Sequence, residues 1–230
     1  MAGTKHTAIS IEGLLGRQLN DVEEKYAPKT VYYAGLMETP LQSPKVAVVG
    51  SRDATSEGLA EARAITEVLV ENKVTLISGL AKGIDTMAHQ TAIENGGKTV
   101  AVIGTPLDKT YPKENSDLQK KMIKEHLVVS QYPVGSNTLP RNFILRNRTM
   151  ALIADASIIV QARENSGSLS HGWEALRLGR PLFICKSVVD DSKIKWPAKM
   201  QEYGAIKLDK YEDILEYLPL DIKVPELFDC

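Results

Sequence analysis

Three arginines precede an apolar stretch in the run RNFILRNRTMALIAD, residues 141–155. Arg141, Arg146 and Arg148 fall within eight positions, and the pattern after them predicts a helix that packs on a sheet. Arginine side chains bind phosphates in bidentate geometry, whereas cations at a helix start are slightly unfavourable against the helix dipole. We therefore expect these arginines to receive an anion, with a solvated helix start as the alternative.

Phe143 lies between the first two of these arginines. Aromatic side chains interleaved with cations stack on unpaired bases, so the run is typical of a surface that binds single-stranded nucleic acid. The alternative is that Phe143 belongs to the hydrophobic core.

Small residues follow several predicted strands. The turns are Gly50-Ser51-Arg52, Ser78-Gly79 with Lys82 close behind, Gly104-Thr105-Pro106 and Ser166-Gly167-Ser168. Small residues let backbone N–H groups approach a ligand, and the helix N-termini behind them favour anions. Together with the hydroxyls and the cations, these turns predict a phosphate site; ordinary turn chemistry is the alternative for each one alone.

Short apolar segments alternate with helical patterns along the chain. This predicts the α/β class, with a doubly wound, mostly parallel sheet in a three-layer α/β/α arrangement. The predicted strands are 45–50, 74–79, 99–104, 127–132, 157–162 and 181–186. The predicted helices are 56–73 with Ser56 as N-cap, 84–97, 114–126, one from about 141, 168–179 and 211–218.

The same pattern suggests three regions. Residues 1–44 are expected to form a small helical or irregular leader, 45–218 the α/β domain, and 219–230 an extended or disordered tail.

Composition narrows the function classes. The formal net charge is −1, so the chain has no overall attraction to polyanions, and any such site must be a local cluster. The two cysteines, Cys185 and Cys230, fit no metal-ligand spacing and are compatible with a reducing compartment. Neither a signal peptide nor an apolar run long enough to span a membrane is present, which predicts a cytoplasmic protein without membrane contact.

Two nucleotide-binding motifs are incomplete. ENGGKT (94–99) ends like a Walker A loop, but Ala92 replaces its first glycine and a strand follows it rather than precedes it. The first predicted strand is not followed by the glycine pattern of dinucleotide-binding folds. We expect no cofactor and no metal.

Five segments occur together in a distinctive order. They are VAVVGSR (46–52), SGLAKGIDTMAH (78–89), GGKTVAVIGTPLDKTYPKEN (96–115), RNR (146–148) and SGSLSHGWEALRLGR (166–180). In combination they resemble the DNA-processing protein A family (DprA/Smf). The resemblance implies an extended Rossmann-like fold, a homodimer, and binding and protection of single-stranded DNA. It also implies loading of RecA during recombination or natural transformation, without covalent chemistry.

The resemblance also implies which residues contact DNA. Its basic pocket corresponds here to Gly50, Ser51, Arg52, Phe143, Arg146, Asn147 and Arg148, with Ser78, Gly79, Lys82, Ser166, Gly167 and Ser168 as further phosphate-binding candidates. One departure concerns the residues after the loop phenylalanine. Ile144 and Leu145 stand where the family often has a proline and a basic residue, so one cation is missing.

A second class of function remains open. The broader superfamily resembles nucleotide-binding sensors and LOG-type nucleotide phosphoribohydrolases, in which a carboxylate follows a glycine-rich turn. Glu174 is the candidate for general acid–base catalysis. Six helical positions separate it from Ser168, however, which turns it about 240° away from that turn.

Overall fold

The computed structural model describes residues 6–42 and 44–219 and joins nine strands in one sheet. The strands are β1 (Thr7–Ser10), β2 (Thr30–Gly35), β3 (Lys45–Val49), β4 (Thr75–Ser78), β5 (Thr99–Ile103), β6 (Leu127–Ser130), β7 (Ala156–Ile159), β8 (Leu182–Cys185) and β9 (Ile206–Leu208). Their order is β1-β2-β6-β5-β4-β3-β7-β8-β9. The pairs β1–β2 and β2–β6 are antiparallel and the other neighbours are parallel, which confirms the predicted mostly parallel sheet.

Helices cover both faces of this sheet. The α-helices of the described residues are α1 (Ile11–Leu15), α2 (Asp21–Glu24), α3 (Ser56–Glu71), α4 (Ile84–Glu94), α5 (Ser116–Glu125), α6 (Pro140–Ile153), α7 (Gly167–Arg177), α8 (Lys186–Val189) and α9 (Trp196–Glu202). Two 3₁₀ helices span Lys113–Asn115 and Tyr211–Tyr217. None of the helices described is both long and apolar enough to cross a membrane.

Strand β3 shows how the layers form. Val46 and Val48 belong to one apolar cluster with residues of α3 and α4, whereas Ala47 and Val49 belong to another with residues of α6 and α7. Successive side chains of a strand point to opposite faces, so a continuously apolar strand is buried on both sides. This arrangement confirms the doubly wound, three-layer prediction.

The N-terminal region differs from the predicted helical or irregular leader. Strands β1 and β2 extend the main sheet through β6, and Val31 and Ala34 of β2 are buried there. The segment TVYYAG of β2 is rich in β-branched and aromatic residues, which favour strands. The predicted boundary at residue 44 therefore falls between two strands of one sheet; residues 1–5 and 43 lie outside the described part.

Two local predictions also need correction. The N-cap of α3 is Thr55 rather than Ser56, because the Thr55 hydroxyl accepts the backbone N–H of Gly58 at 3.1 Å. The segment predicted as a closing helix at 211–218 is a 3₁₀ helix over Tyr211–Tyr217. Of the predicted tail, only Pro219 lies within the described residues.

The centre of the sheet contains the switch point of the topology. Strand β3 is flanked by β4 on one side and by β7 on the other. In doubly wound sheets, ligands bind in the crevice beyond the carboxyl ends of the strands at such a point. The turns after β3 and β7 meet at this edge.

Candidate nucleic-acid interface

A cleft of about 790 Å³ opens at the carboxyl ends of β3 and β7. Most of the residues predicted from the turns and from the arginine run line it: Gly50, Ser51, Arg52, Phe143, Arg146, Asn147, Ser166, Gly167 and Ser168. Ser78, Gly79, Lys82, Arg148 and Glu174 do not. Residues far apart in sequence are thus brought to one edge by the parallel sheet.

The turn after β3 is built by close backbone packing. A Cβ atom on Gly50 would lie 2.5 Å from Cγ1 of Ile84, so no larger residue fits. The Ser51 N–H donates to the carbonyl of Gln161 at 2.6 Å, and the Ser51 carbonyl accepts the N–H of Ile84 at 3.2 Å. These bonds tie the turn to α4 and to the segment after β7, and they fix the direction of the next residue.

Arg52 is the exposed cation of this turn. Its guanidinium carbon lies 5.9 Å from the centroid of the Phe143 ring. No carboxylate of the described residues forms an ion pair with it, so its charge is available to a ligand.

Phe143 is partly buried at the same lip, between a turn and another aromatic ring. A Cβ on Gly104 would lie 2.7 Å from Cδ1 of Phe143, so the glycine makes room for the ring. The ring of Tyr111 lies 5.0 Å away, tilted by 51°. Leu139 and Ile144, which are 43% and 53% exposed, extend the apolar lip.

Arg146 is buried in the floor of the cleft and holds the sheet edge together. Its Nη1 donates to the carbonyl of Gly79 and, at 2.8 Å, to that of Val102. Burial lowers the pKa of its guanidinium, and the nearby Asp85 carboxylate opposes that shift. Arg146 therefore makes two hydrogen bonds to carbonyls of the protein itself. The sequence analysis expected its guanidinium to be free to bind a phosphate.

Arg148 does not line the cleft that contains Arg146. Its guanidinium stacks on the ring of Tyr26 at 4.5 Å, and Arg177 stacks on the same ring at 4.8 Å. Successive helix positions turn by about 100°, so residues two apart face nearly opposite ways. Arg146 and Arg148 therefore have different surroundings despite their closeness in sequence.

Asn147 joins α6 to α7 at the edge of the cleft. Its side-chain amide donates to the Gly167 carbonyl at 3.0 Å and to the Ser170 hydroxyl at 2.8 Å. Its own carbonyl lies 3.2 Å from Nδ1 of His171, whose Nε2 lies 2.9 Å from the Ser157 hydroxyl. A carbonyl only accepts, so Nδ1 of His171 carries the proton and Nε2 accepts from Ser157.

The N-terminus of α7 forms one wall of the cleft. Ser166 is the N-cap, and its hydroxyl lies 2.7 Å from the hydroxyl of Ser168. The partial positive charge of a helix N-terminus favours an anion at this wall.

Ser78 and Gly79, at the turn after β4, make contacts within the protein and do not line the cleft. The Ser78 hydroxyl is buried and donates to the Val48 carbonyl at 2.7 Å. Gly79 leaves room for the guanidinium of Arg146, since a Cβ there would overlap it. Lys82 is exposed outside the cleft and forms an ion pair with Glu114 at 2.5 Å, which raises the lysine pKa.

Asp85 lies behind this turn and is buried in the cleft floor. Its carboxylate accepts the N–H groups of Gly79 at 3.1 Å and Ala81 at 3.3 Å. Burial raises its pKa, while the charge of Arg146 and the two backbone donors act in the opposite direction.

Glu174, the candidate acid–base residue, is directed away from the cleft. Both of its carboxylate oxygens accept from Arg177, at 3.0 Å from Nε and 2.5 Å from Nη2. This placement agrees with the helical offset from Ser168.

The cleft residues outside the sequence-predicted set include an aromatic ring and a cation, Tyr111 and Arg163. Tyr111 is 50% exposed and belongs to the segment GTPLDKTYPKEN, whose role the sequence alone did not indicate. Arg163 follows β7, and its exposed side chain makes no hydrogen bond or ion pair with the described residues. Arg163 follows a predicted strand, as Ser166 does, so its position in the sequence could have identified it as a candidate in the same way.

The sequence model of the family described as DNA recombination-mediator protein A matches residues 14–219. The chain belongs to this family. Among curated relatives, the DNA processing protein DprA of Streptococcus pneumoniae is 40% identical over 196 residues, which are 85% of this chain and 69% of the relative. DprA of Bacillus subtilis is 33% identical over 84% of this chain and 66% of its own length. This chain covers a smaller share of a Smf protein of Synechocystis, 40% of the length of that relative.

Solved structures show the same fold. DNA processing protein A from S. pneumoniae superposes with a TM-score of 0.80 at 36% identity, covering 94% of this chain and 75% of that one. The protein from Helicobacter pylori, described with its single-stranded DNA binding mode, gives 0.77 at 24% identity over 93% and 95% of the two chains. A molybdenum cofactor binding protein from Rippkaea orientalis gives 0.57 at 17% identity, covering 76% of this chain and 95% of that chain. These last two likenesses concern the fold alone.

Proposed function

We propose that this chain is a DNA-processing protein that binds single-stranded DNA in the cleft between the turn after β3 and the N-terminus of α7. One observation carries the proposal. Two exposed cations without ionic partners among the described residues, Arg52 and Arg163, line a cleft that also has a partly exposed aromatic lip. Proteins that bind single strands combine cations placed along the phosphate backbone of the nucleic acid with aromatic rings that stack on its bases.

The wall formed by α7 supports the same ligand. Phosphates of the strand would lie against the N-terminus of α7 and the hydroxyls of Ser166 and Ser168, with Arg163 near them. Bases would lie against the lip around Phe143. A duplex keeps its bases stacked inside, so it does not offer them to this lip, and we expect it to bind more weakly.

The proposed activity has no covalent step. Glu174, the acid–base candidate of the rival phosphoribohydrolase hypothesis, is bound by Arg177 and lies outside the cleft. Membership of a recombination-mediator family supports the further proposals that the protein protects single strands and loads RecA on them, in recombination or natural transformation. We also propose that it acts as a homodimer.

Fluorescence anisotropy with labelled oligo-dT, the matching duplex and free nucleoside monophosphates tests the proposal. We expect the single strand to bind more tightly than the duplex, and monophosphates to compete only weakly. Equal binding of strand and duplex would contradict it. Turnover or tight binding of a monophosphate would favour the nucleotide-binding alternative instead.

A further inference from the structure

Tyr111 is the outermost aromatic ring of the cleft. It is 50% exposed, whereas Phe143 beside it is only partly exposed. Phe143 is enclosed by three neighbours: Gly104 in close contact, the Tyr111 ring at 5.0 Å and the Arg52 guanidinium at 5.9 Å. A base that approaches the lip from solvent therefore meets Tyr111 before it meets Phe143.

The hydroxyl of Tyr111 is also available. It makes no hydrogen bond with the described residues, although tyrosines in a folded protein commonly use this group. The ring is held from below by Phe143 at a tilted angle typical of aromatic pairs. Tyr111 thus combines a half-exposed ring that packs on Phe143 with a hydroxyl that has no hydrogen-bond partner among the described residues.

We propose that Tyr111 is the base-stacking residue of the cleft and that Phe143 is its support. The inference rests on the proposed function, since it assigns a contact within the single-strand site. Stacking on an aromatic ring is tolerant of base identity, so the contact would strengthen binding without selecting a sequence.

Comparison of oligo-dT with an abasic strand of the same length separates base contacts from backbone contacts. In the wild type, we expect the abasic strand to bind more weakly. In Tyr111→Leu, which keeps apolar bulk over Phe143, we expect oligo-dT to lose about 5- to 150-fold in affinity, the range for one stacked base. The abasic strand should lose much less, so the preference for bases shrinks.

Tyr217 provides a matched control. It is 47% exposed and lies 5.2 Å from the ring of Phe183, yet it does not line the cleft. Tyr217→Leu should leave both affinities unchanged. Tyr111→Phe should retain most of the affinity for oligo-dT, because it keeps the ring.

The outcomes distinguish this inference from the proposed function. One outcome would overturn only the inference: the wild-type protein binds oligo-dT, Arg52→Ala weakens this binding, and Tyr111→Leu leaves it unchanged. The proposed function would then stand. An equal loss for both strands in Tyr111→Leu would assign Tyr111 a structural role and also overturn the inference. Absence of oligo-dT binding by the wild type would overturn both.

A second variant covers the case in which Tyr111→Leu does not fold. In Tyr111→Trp, oligo-dT should quench the fluorescence of the new indole. The abasic strand should quench this fluorescence much less. Wild-type protein, with only Trp173 and Trp196 outside the cleft, is the reference. Equal quenching by both strands would contradict stacking at this position.

Discussion

Burial determines what each arginine of α6 does. Arg146 is 5% exposed and donates to carbonyls at the ends of β4 and β5, whereas Arg148 stacks on Tyr26 at the other side of the helix. Arg141 is exposed in the first turn of α6 and does not line the cleft. The three residues have the same chemistry, but the turn of the helix separates their surroundings.

The first prediction concerns the stability contributed by Arg146. Arg146→Ala removes two buried hydrogen bonds from a charged donor, so we expect a loss of about 2–3 kcal/mol in the free energy of unfolding. Arg148→Ala should lose only about 0.5–1 kcal/mol, as for an exposed cation–π contact. Urea unfolding of both variants measures this difference. Equal losses would contradict the assigned roles.

The second prediction concerns Lys82, which is held by Glu114 next to the cleft residue Ala81. Glu114→Gln removes the competing carboxylate, so the lysine becomes available to a phosphate. We expect tighter oligo-dT binding and a log–log salt slope steeper by about 0.7, the value for one phosphate contact. Asp117→Asn, at another exposed ion pair, is the control. An unchanged slope in Glu114→Gln would show that Lys82 does not reach the strand.

At the scale of elements, the sequence indicated most of what positions the site. The apolar runs predicted β3 to β8, and the small residues after β3 and β7 predicted two of the cleft's walls. Strands β1 and β2 were missed because β1 has four largely exposed residues and β2 stands apart from any βαβ unit. Tyr111 was missed because its place at the cleft involves a ring contact with Phe143, 32 positions away in the chain. Contacts between such distant positions leave no periodic signal.

The third prediction concerns the contact between α6 and α7, where His171 links Asn147 to Ser157. Burial lowers the pKa of His171 from 6.5 to about 4, so the folded state stays neutral while the unfolded chain takes up a proton. Stability is therefore constant above the unfolded pKa and falls as the pH drops below it. We expect a loss of about 2 kcal/mol from this residue between pH 7 and pH 5.

His89 is a second buried histidine and contributes in the same direction, since burial lowers its pKa to about 3. Urea unfolding at pH 7 and pH 5 measures the total loss in the free energy of unfolding. The variant His171→Gln isolates the part of this loss that comes from His171. The variant should lose less stability than the wild type on acidification. The same loss in both would contradict the role of His171.

At the scale of the molecule, charge is distributed so that attraction to DNA is local. The formal net charge is −1, yet Arg52 and Arg163 line one cleft and have no ionic partner among the described residues. Such a protein attracts nucleic acid weakly from a distance and binds it through a small number of contacts.

The fourth prediction concerns assembly. The homodimer implied by the family resemblance should give a solution mass of twice the chain mass of 25.3 kDa. Sedimentation equilibrium at micromolar concentration measures this mass directly. A single-chain mass over that range would contradict the dimer but leave the cleft and its ligand unaffected.

The most direct test of the central claim is a salt titration of oligo-dT affinity for the wild type and for the double variant Arg52→Ala/Arg163→Ala. Each lost phosphate contact flattens the log–log slope by about 0.7, so we expect the double variant to lose about 1.4 in slope and to bind weakly. Arg63→Ala, outside the cleft, should behave as the wild type. If the double variant keeps the wild-type slope and affinity, single-stranded DNA does not bind in this cleft.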